Sequence, residues 1–285
     1  MDCKLMKKHA LQKSILLCLI LGILSGCDAP KPNSDTSPPI RVAIIGGMTM
    51  TGMWQQLQKE FEKESGLSVE VVITGPKRIL VPVFLEGKVD LLTMHSSDAA
   101  TSLVADGLGT GLQPWTRNQH VIVGPPNDPA GIRGMSSGAD ALRRIAETQS
   151  PFVDARGSGK RFISEKLWKN AGVRPIGDWV IKDESSSPTQ LVQFAKSKDA
   201  YLICGKIPVL SGKLPSEGME ILVEDDPEMR RPYVIVLANP EKFSGINEAG
   251  AQQLAAFLTS EKTKKFLRSF ANEQSAGSPL FYPLP

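Results

Sequence analysis

The chain is poor in histidine and cysteine, which are frequent in catalytic and metal centres. Its 285 residues include four cysteines and three histidines, and the motifs H-E-x-x-H, C-x-x-C and the P-loop are missing. Residues 134–138 match the hydrolase pattern G-x-S-x-G, but no apolar strand leads into them, and His95 and His120 both precede them. We therefore expect no enzyme activity, no metal and no cofactor.

A surplus of charge of one sign is missing as well. The formal net charge is +3, but residues 1–26 hold four lysines and one aspartate, so 29 basic and 29 acidic residues remain beyond them. A protein that binds nucleic acid would need a concentrated basic surface. We therefore expect no nucleic-acid partner.

The positions of the cysteines exclude a disulfide within the folded part. Cys3 and Cys18 lie in the N-terminal segment and Cys27 at its end, so Cys204 stands alone in the rest of the sequence. Cys204 ends the apolar run 201–204, which predicts a buried, inert thiol. A reactive thiol is the alternative.

The longest apolar run stands near the N-terminus and is too short to span a membrane. Four lysines precede the run Ile15–Leu24, and the small residues Ser25 and Gly26 lead into Cys27. This layout is typical of a secretory signal, and with Cys27 it resembles the signal of bacterial lipoproteins. The resemblance implies that residues 1–26 are removed and that Cys27 is acylated, with palmitate among its lipids. An ordinary signal followed by a coincidental cysteine is the alternative.

The lipoprotein resemblance also implies a location and a spacer. A lipid on Cys27 would anchor the protein to the cell membrane, facing the periplasm or the cell exterior. Residues 27–39 combine proline, serine and charge with almost no apolar side chains, and such a composition cannot form a core. We interpret them as the lipidated cysteine and a flexible tether.

Strands and helices alternate along the rest of the chain. Residues 40–105 follow the order β-α-β-α-β-α, which predicts a parallel sheet covered by helices on both faces. Two apolar strands, at 120–124 and 233–237, end in proline-containing turns and enclose a further α/β unit. We predict an α/β fold of two lobes joined by two crossover strands, with a ligand cleft between them; a single larger sheet is the alternative. Lobe one comprises residues 40–123 and 233–285, and lobe two comprises residues 124–232.

Polar residues follow the predicted strands of lobe one. Ligands of open parallel sheets bind at the carboxyl ends of strands, against helix N-termini whose free N–H groups suit anions. Thr49 and Thr51 offer hydroxyl groups in a glycine-rich segment, and Ser96 follows the third strand. Lys77 opens a helix, where a cation opposes the macrodipole. We predict that these four residues bind an anion; a plain turn capped by Thr51 and a solvated Lys77 are the alternatives.

A second candidate segment begins at Arg156 in lobe two. The guanidinium is a planar fork of donors that suits an oxyanion or a carboxylate, and Ser158, Gly159 and Lys160 follow it at the start of a helix. We predict that these four residues bind the ligand from lobe two; a salt-bridged turn is the alternative. Contacts from His95 and from residues 185–189 are left open.

Several segments together carry a resemblance to a known family. They are residues 118–125, 128–132, 139–153, 156–159, 167–172, 222–227, 232–233 and 239–240. The chain resembles the tungstate- and molybdate-type solute-binding proteins of ABC importers, from about residue 40 to the C-terminus. The resemblance implies the two-lobed fold of the type II periplasmic binding proteins. It also implies delivery of a small anionic ligand to an ABC permease with a cytoplasmic ATPase.

The ligand loops depart from the pattern of that family. Residues 44–48 replace most of the hydroxyl-bearing residues of its first loop, Lys77 and Arg78 follow Gly75-Pro76, and Lys160 replaces a threonine. The lost hydroxyls and added cations indicate either a tungstate-like oxyanion or a small anionic metabolite, such as a carboxylate or a phosphate-bearing molecule. We expect a monomeric receptor for import; a sensor of the same fold that signals to a membrane partner is the alternative.

Overall fold

The computed structural model describes residues 37–155, 158–271 and 279–284, with the backbone alone at residues 158–160. Its strands are β1 (Ile40–Ile45), β2 (Val69–Gly75), β3 (Leu91–His95), β4 (Gly109–Gly124), β5 (Phe152–Asp154), β6 (Val180–Lys182), β7 (Tyr201–Gly205), β8 (Glu220–Val223), β9 (Arg230–Ala238) and β10 (Tyr282–Pro283). Its α-helices are α1 (Gly46–Met50), α2 (Met53–Ser65), α3 (Lys77–Leu85), α4 (Asp98–Ala105), α5 (Gly138–Glu147), α6 (Ser158–Ala171), α7 (Leu191–Lys196), α8 (Lys206–Leu210), α9 (Glu248–Thr259) and α10 (Glu261–Ser269).

The first half of the sheet has the strand order β2-β1-β3-β9-β4. Strand β1 lies parallel to β2 and to β3, whereas β9 runs antiparallel to β3 and β4 antiparallel to β9. The predicted parallel pairing is correct for the first three strands, but the sheet as a whole is mixed. The reason is that β4 and β9 connect to the second half and run in opposite directions.

Strand β4 belongs to both halves of the sheet. Its residues 109–119 pair with β9, and its residues 120–124 pair with β7 and β8. Beyond β7 lie β5 and β6, parallel to each other. The sequence predicts only the end of β4, because its first half is largely exposed, contains Gly111 and Pro114, and pairs with an irregular register.

Each half of the sheet carries its own buried side chains. Around β1, β3 and β9 the core includes Trp54, Phe84 and Trp115. In the other half, Phe152 and Trp168 belong to one group, while alternate residues of β4 and β7 point to the opposite face and join another. Burying one such side chain contributes about 1.5–3 kcal/mol. Among the described residues, the first half of the sheet therefore has one buried group and the second half has two, one on each face. The exact bounds of the two lobes stay a prediction.

Local signals at the ends of helices and strands agree with the structure in several places. Helix α2 ends at Gly66, which has a φ of 73°. The Ser260 hydroxyl accepts a hydrogen bond from the Thr263 backbone at the start of α10, across 3.2 Å. Cys204 is buried, as predicted. Within the described ranges, no helix is long and apolar enough to cross a membrane.

Candidate functional site

A cavity of about 600 Å³ opens at the carboxyl end of β3, where β9 passes beside it. Its volume lies within the range of small-molecule sites in proteins. Strand β9, the start of α3, the start of α4 and helix α6 all contribute to its wall. The lining residues are Lys77, Ser96, Ser97, Asp98, Ala99, Thr101, Phe162, Arg231 and Pro232.

Arg231 brings a partly buried guanidinium to the wall of this cavity. Its Nη2 atom donates to the backbone oxygen of Ser96 across 3.4 Å, which is a long contact. No carboxylate of the described residues forms an ion pair with Arg231. Burial lowers the pKa of Arg231 below its usual range, and the neighbouring Tyr233 acts in the opposite direction. Arginine nevertheless stays protonated at neutral pH, so the cavity contains a positive charge that no carboxylate of the described residues pairs with directly.

Burial and the charge of Arg231 lower the pKa values of two further basic groups, Lys77 and His95. Burial, followed by repulsion from Arg231, lowers the pKa of Lys77, and Asp98 acts in the opposite direction. Burial also lowers the pKa of His95 well below 6.5, and the charges of Arg231, His120 and Lys77 add to this decrease. His95 is therefore neutral at pH 7, while Lys77 and Arg231 are charged. An anion in the cavity would relieve the repulsion between the two cations.

The ring of Tyr233 stacks against the ring of His95. The two rings are stacked with their centroids 4.3 Å apart, and Tyr233 is fully buried. Burial raises the pKa of Tyr233, so its hydroxyl keeps its proton. This hydroxyl has no hydrogen-bond partner among the described residues, and a Cβ atom at Gly47 would lie 3.4 Å from it. The stack fixes the uncharged imidazole of His95 at the end of β3.

A smaller cavity of about 240 Å³ adjoins the first one, and Arg231 lines both. Its wall is mostly apolar. Strands β3, β4 and β9 contribute on one side, and the segments around α7 and α8 on the other. The lining residues are His95, Asn118, His120, Pro188, Thr189, Gly205, Pro208, Lys213, Leu214 and Arg231.

Lys77 and Ser96 are the predicted site residues that line the larger cavity. The side chains of Thr49 and Thr51 are used differently. The Thr49 hydroxyl donates to the backbone oxygen of Gly46 across 3.1 Å and lies 2.8 Å from the Thr74 hydroxyl. The Thr51 hydroxyl contacts the backbone oxygens of Gly47 and Met48, each at 3.1 Å.

The difference at the two threonines has a local cause. Residues 46–50 coil into the short helix α1, whereas the sequence predicts a glycine-rich loop there. Within a helical turn, a threonine hydroxyl reaches the carbonyl three or four residues before it. Ligand contacts from Thr49 and Thr51 stay a prediction.

The predicted ligand segment of lobe two is only partly described. Arg156 lies outside the described residues, as does the lipidation site Cys27. Ser158, Gly159 and Lys160 form the first turn of α6, and their side chains are not described. Phe162, two positions after Lys160, lines the larger cavity with 65% of its surface exposed. Helix α6 therefore reaches the larger cavity through Phe162, while ligand contacts from Arg156, Ser158, Gly159 and Lys160 stay a prediction.

Residues 183–189 show which of the open positions face a cavity. The Ser185 hydroxyl donates to Asp183 Oδ1 across 2.5 Å, whereas Thr189 lines the smaller cavity. His95 lines that cavity as well. Sequence reasoning missed Arg231 and Phe162. The available signal for Arg231 was a charged residue just before a proline, at the start of an otherwise apolar strand.

The sequence model of the family described as bacterial extracellular solute-binding protein matches residues 41–270. The chain belongs to this family. A curated tungstate-binding protein of Peptoclostridium acidaminophilum is 29% identical to it over 271 residues, covering 91% of this chain and 93% of the relative. The predicted resemblance to tungstate-type solute-binding proteins is thereby confirmed.

Two solved structures share the architecture. A tungstate-binding protein from Desulfovibrio alaskensis G20 superposes with a TM-score of 0.72 at 24% identity, covering 87% of this chain and 99% of that one. The structure described as the tungstate ABC transporter from Geobacter sulfurreducens gives a TM-score of 0.67 at 27% identity, with 81% and 98% covered. The predicted two-lobed fold of the type II periplasmic binding proteins is confirmed. The family is one of solute-binding proteins, and the chain is accordingly a solute-binding protein rather than an enzyme.

Proposed function

We propose that this protein is a lipid-anchored extracytoplasmic receptor that captures a small anion between its lobes for import by an ABC transporter. The ligand would be a tungstate-like oxyanion or a small anionic metabolite. One observation carries the proposal: Arg231 lines a cavity between the lobes and forms no ion pair with a carboxylate of the described residues. Membership of the solute-binding family and the names of the similar proteins support it.

The electrostatics favour an anionic guest over a neutral or cationic one. A guanidinium removed from water loses hydration, and a charge that is not paired inside the protein is costly. Among the described residues, Arg231 makes a long hydrogen bond to the Ser96 backbone oxygen and no ion pair, so an anion would add charge-assisted hydrogen bonds to it. Lys77 would add a second positive charge, and the hydroxyls of Ser96 and Ser97 would add donors. The lining contains one acid, Asp98.

Lobe two would complete the site. Helix α6 begins at Ser158, and its residue Phe162 lines the larger cavity. We expect Arg156, Ser158, Gly159 and Lys160 to approach the ligand as the lobes close around it. Phe162 would then cover the opening and exclude water from the ion pair. A dry site strengthens every charged contact that the ligand makes.

The test of anion capture is calorimetry with tungstate, molybdate, phosphate and sulfate. We expect at least one of them to bind, and we expect Arg231→Gln to raise its dissociation constant by roughly 10- to 100-fold, because a hydrogen bond to a charged group contributes about 1.5–3 kcal/mol. Arg144→Gln is the matched control: it removes the same charge from an exposed residue paired with Glu147. If none of these anions nor a small carboxylate binds, or if Arg231→Gln binds as tightly as the wild type, the proposed site is wrong.

The lipid anchor is tested separately on the full chain. We expect the wild-type protein to fractionate with membranes and to take up radiolabelled palmitate, because Cys27 follows the run Leu24-Ser25-Gly26. Cys27→Ala should abolish both, and Cys204→Ala, which changes a buried thiol, should abolish neither. Labelling of Cys27→Ala at the wild-type level would contradict the assignment.

Import and sensing would use the same cleft, so an experiment in cells is needed to distinguish the two roles. Loss of the protein should lower uptake of its ligand if it feeds a permease. Unchanged uptake combined with a lost transcriptional response to the ligand would favour the sensing role.

A further inference from the structure

Arg231 lines two cavities of different character. The larger space of about 600 Å³ is lined by Lys77, Ser96 and other polar groups. Arg231 also lines the smaller space of about 240 Å³, whose wall is mostly carbon surface although Asn118, His120, Thr189 and Lys213 belong to its lining. A ligand held by Arg231 would therefore have polar surroundings in the larger space and largely apolar surroundings in the smaller one.

The apolar wall is built from both lobes. Pro188, Pro208 and Leu214 supply carbon surface, and Leu214 is 7% exposed. The His95 ring also lines the space while it is stacked on Tyr233. That imidazole is uncharged at neutral pH, because burial and the neighbouring cations lower its pKa. It thus offers a flat aromatic surface rather than a second positive charge.

A bare tetrahedral oxyanion would leave this space unused. Its oxygens need donors on every side, and it has no carbon surface to bury against Pro188, Pro208 and Leu214. An organic molecule with one anionic end matches both environments, because small-molecule sites combine an apolar lining with a few polar groups that fix orientation. The planar fork of arginine fits the two oxygens of a carboxylate.

We propose that the ligand is an organic monocarboxylate whose carboxylate pairs with Arg231 and whose compact apolar group occupies the chamber lined by Pro188, Pro208 and Leu214. This inference rests on the proposed function and names the class of anion that the site takes. It differs from capture of a metal oxyanion, which would leave the chamber empty.

The test is a chain-length series of acetate, butanoate and hexanoate, measured by calorimetry beside tungstate and sulfate. We expect the affinity to rise roughly fourfold for each methylene that enters the chamber, and hexanoate to bind at least tenfold more tightly than acetate. Equal affinity across the series, or tungstate binding more tightly than hexanoate, would overturn the inference.

Two variants locate the gain. Thr189 is exposed and lines the chamber, so Thr189→Trp should fold and fill the space; we expect it to cancel the advantage of hexanoate while acetate binds as before. Ser186→Trp is the matched control, because Ser186 is exposed in the same segment and lines neither cavity. A full chain-length gain in Thr189→Trp would place the tail elsewhere and refute the assignment.

The outcomes also separate this inference from the proposed function. Tungstate or sulfate binding that depends on Arg231, combined with a flat carboxylate series, would keep the anion receptor and reject the organic ligand. A rising series that Arg231→Gln abolishes would support both. Absence of binding by every member of both classes would reject both.

Discussion

Lys77 and Arg231 illustrate, at the scale of single residues, what the sequence reveals about the site and what it hides. Lys77 was predictable because a cation at the first position of a helix opposes the helix macrodipole, and such a cost often marks function. Arg231 lies inside strand β9, and its position beside Ser96 follows only from the pairing of β9 with β3. Contacts between residues that lie 135 positions apart cannot be read from local patterns.

The lowered pKa of Lys77 predicts a pH dependence of anion binding. Burial and repulsion from Arg231 place this pKa below the ordinary 10.5, so the ammonium loses its proton, and its attraction for an anion, as the pH rises through that lowered value. We expect the affinity for the best-binding strong-acid anion, such as sulfate, to fall roughly two- to fivefold as the pH approaches 10.5 from neutrality.

Lys77→Arg is the control for this effect, because arginine keeps its charge throughout that range. Its affinity should stay level while that of the wild type falls. An equal decline in both proteins would assign the titration to another group.

Helix α1 and strand β4 mark the limits of prediction at the scale of elements. Strands such as β1 and helices such as α2 were predictable because apolar periodicity and end signals agree. In α1, the glycines at 46 and 47 suggested a loop, yet the segment is helical and packs Met48 into the core. The first half of strand β4 was not predicted, because its pairing with β9, rather than its own composition, makes it a strand.

Asp90 connects three elements and should be important for stability. Its carboxylate accepts hydrogen bonds from the backbone and guanidinium of Arg41 on β1, at 2.6–3.2 Å, and from the backbone of Asn247 before α9. Asp90 is fully buried. We expect Asp90→Ala to lower the free energy of unfolding by about 3–5 kcal/mol, because it leaves a partly buried cation without its partner.

Chemical denaturation monitored by circular dichroism measures this loss. Glu147→Ala is the comparison, because it breaks the exposed pair with Arg144 and should change the free energy by less than about 1 kcal/mol. Similar losses of unfolding free energy in the two variants would show that the hydrogen bonds of Asp90 contribute no more to stability than an exposed ion pair does.

At the scale of the whole molecule, strands β4 and β9 connect the two lobes, and residues of both strands line the smaller cavity. Alternation of strands and helices predicted this architecture, since two apolar strands enclosing an α/β unit favour a chain that leaves one lobe and returns to it. The sequence could not predict which side chains meet in the cleft, because they come from both lobes and from the connecting strands. Arg231 lies at that meeting point and, together with Lys77, contributes positive charge to the cleft.

The most direct measurement is anomalous diffraction from crystals grown with millimolar tungstate. The heavy atom marks the site of an anion even when binding is weak. We predict a peak between the lobes, with an oxygen of the anion within hydrogen-bond distance of the Arg231 guanidinium. A peak only on the outer surface, or Arg231 paired with a carboxylate of the protein in those crystals, would contradict the account.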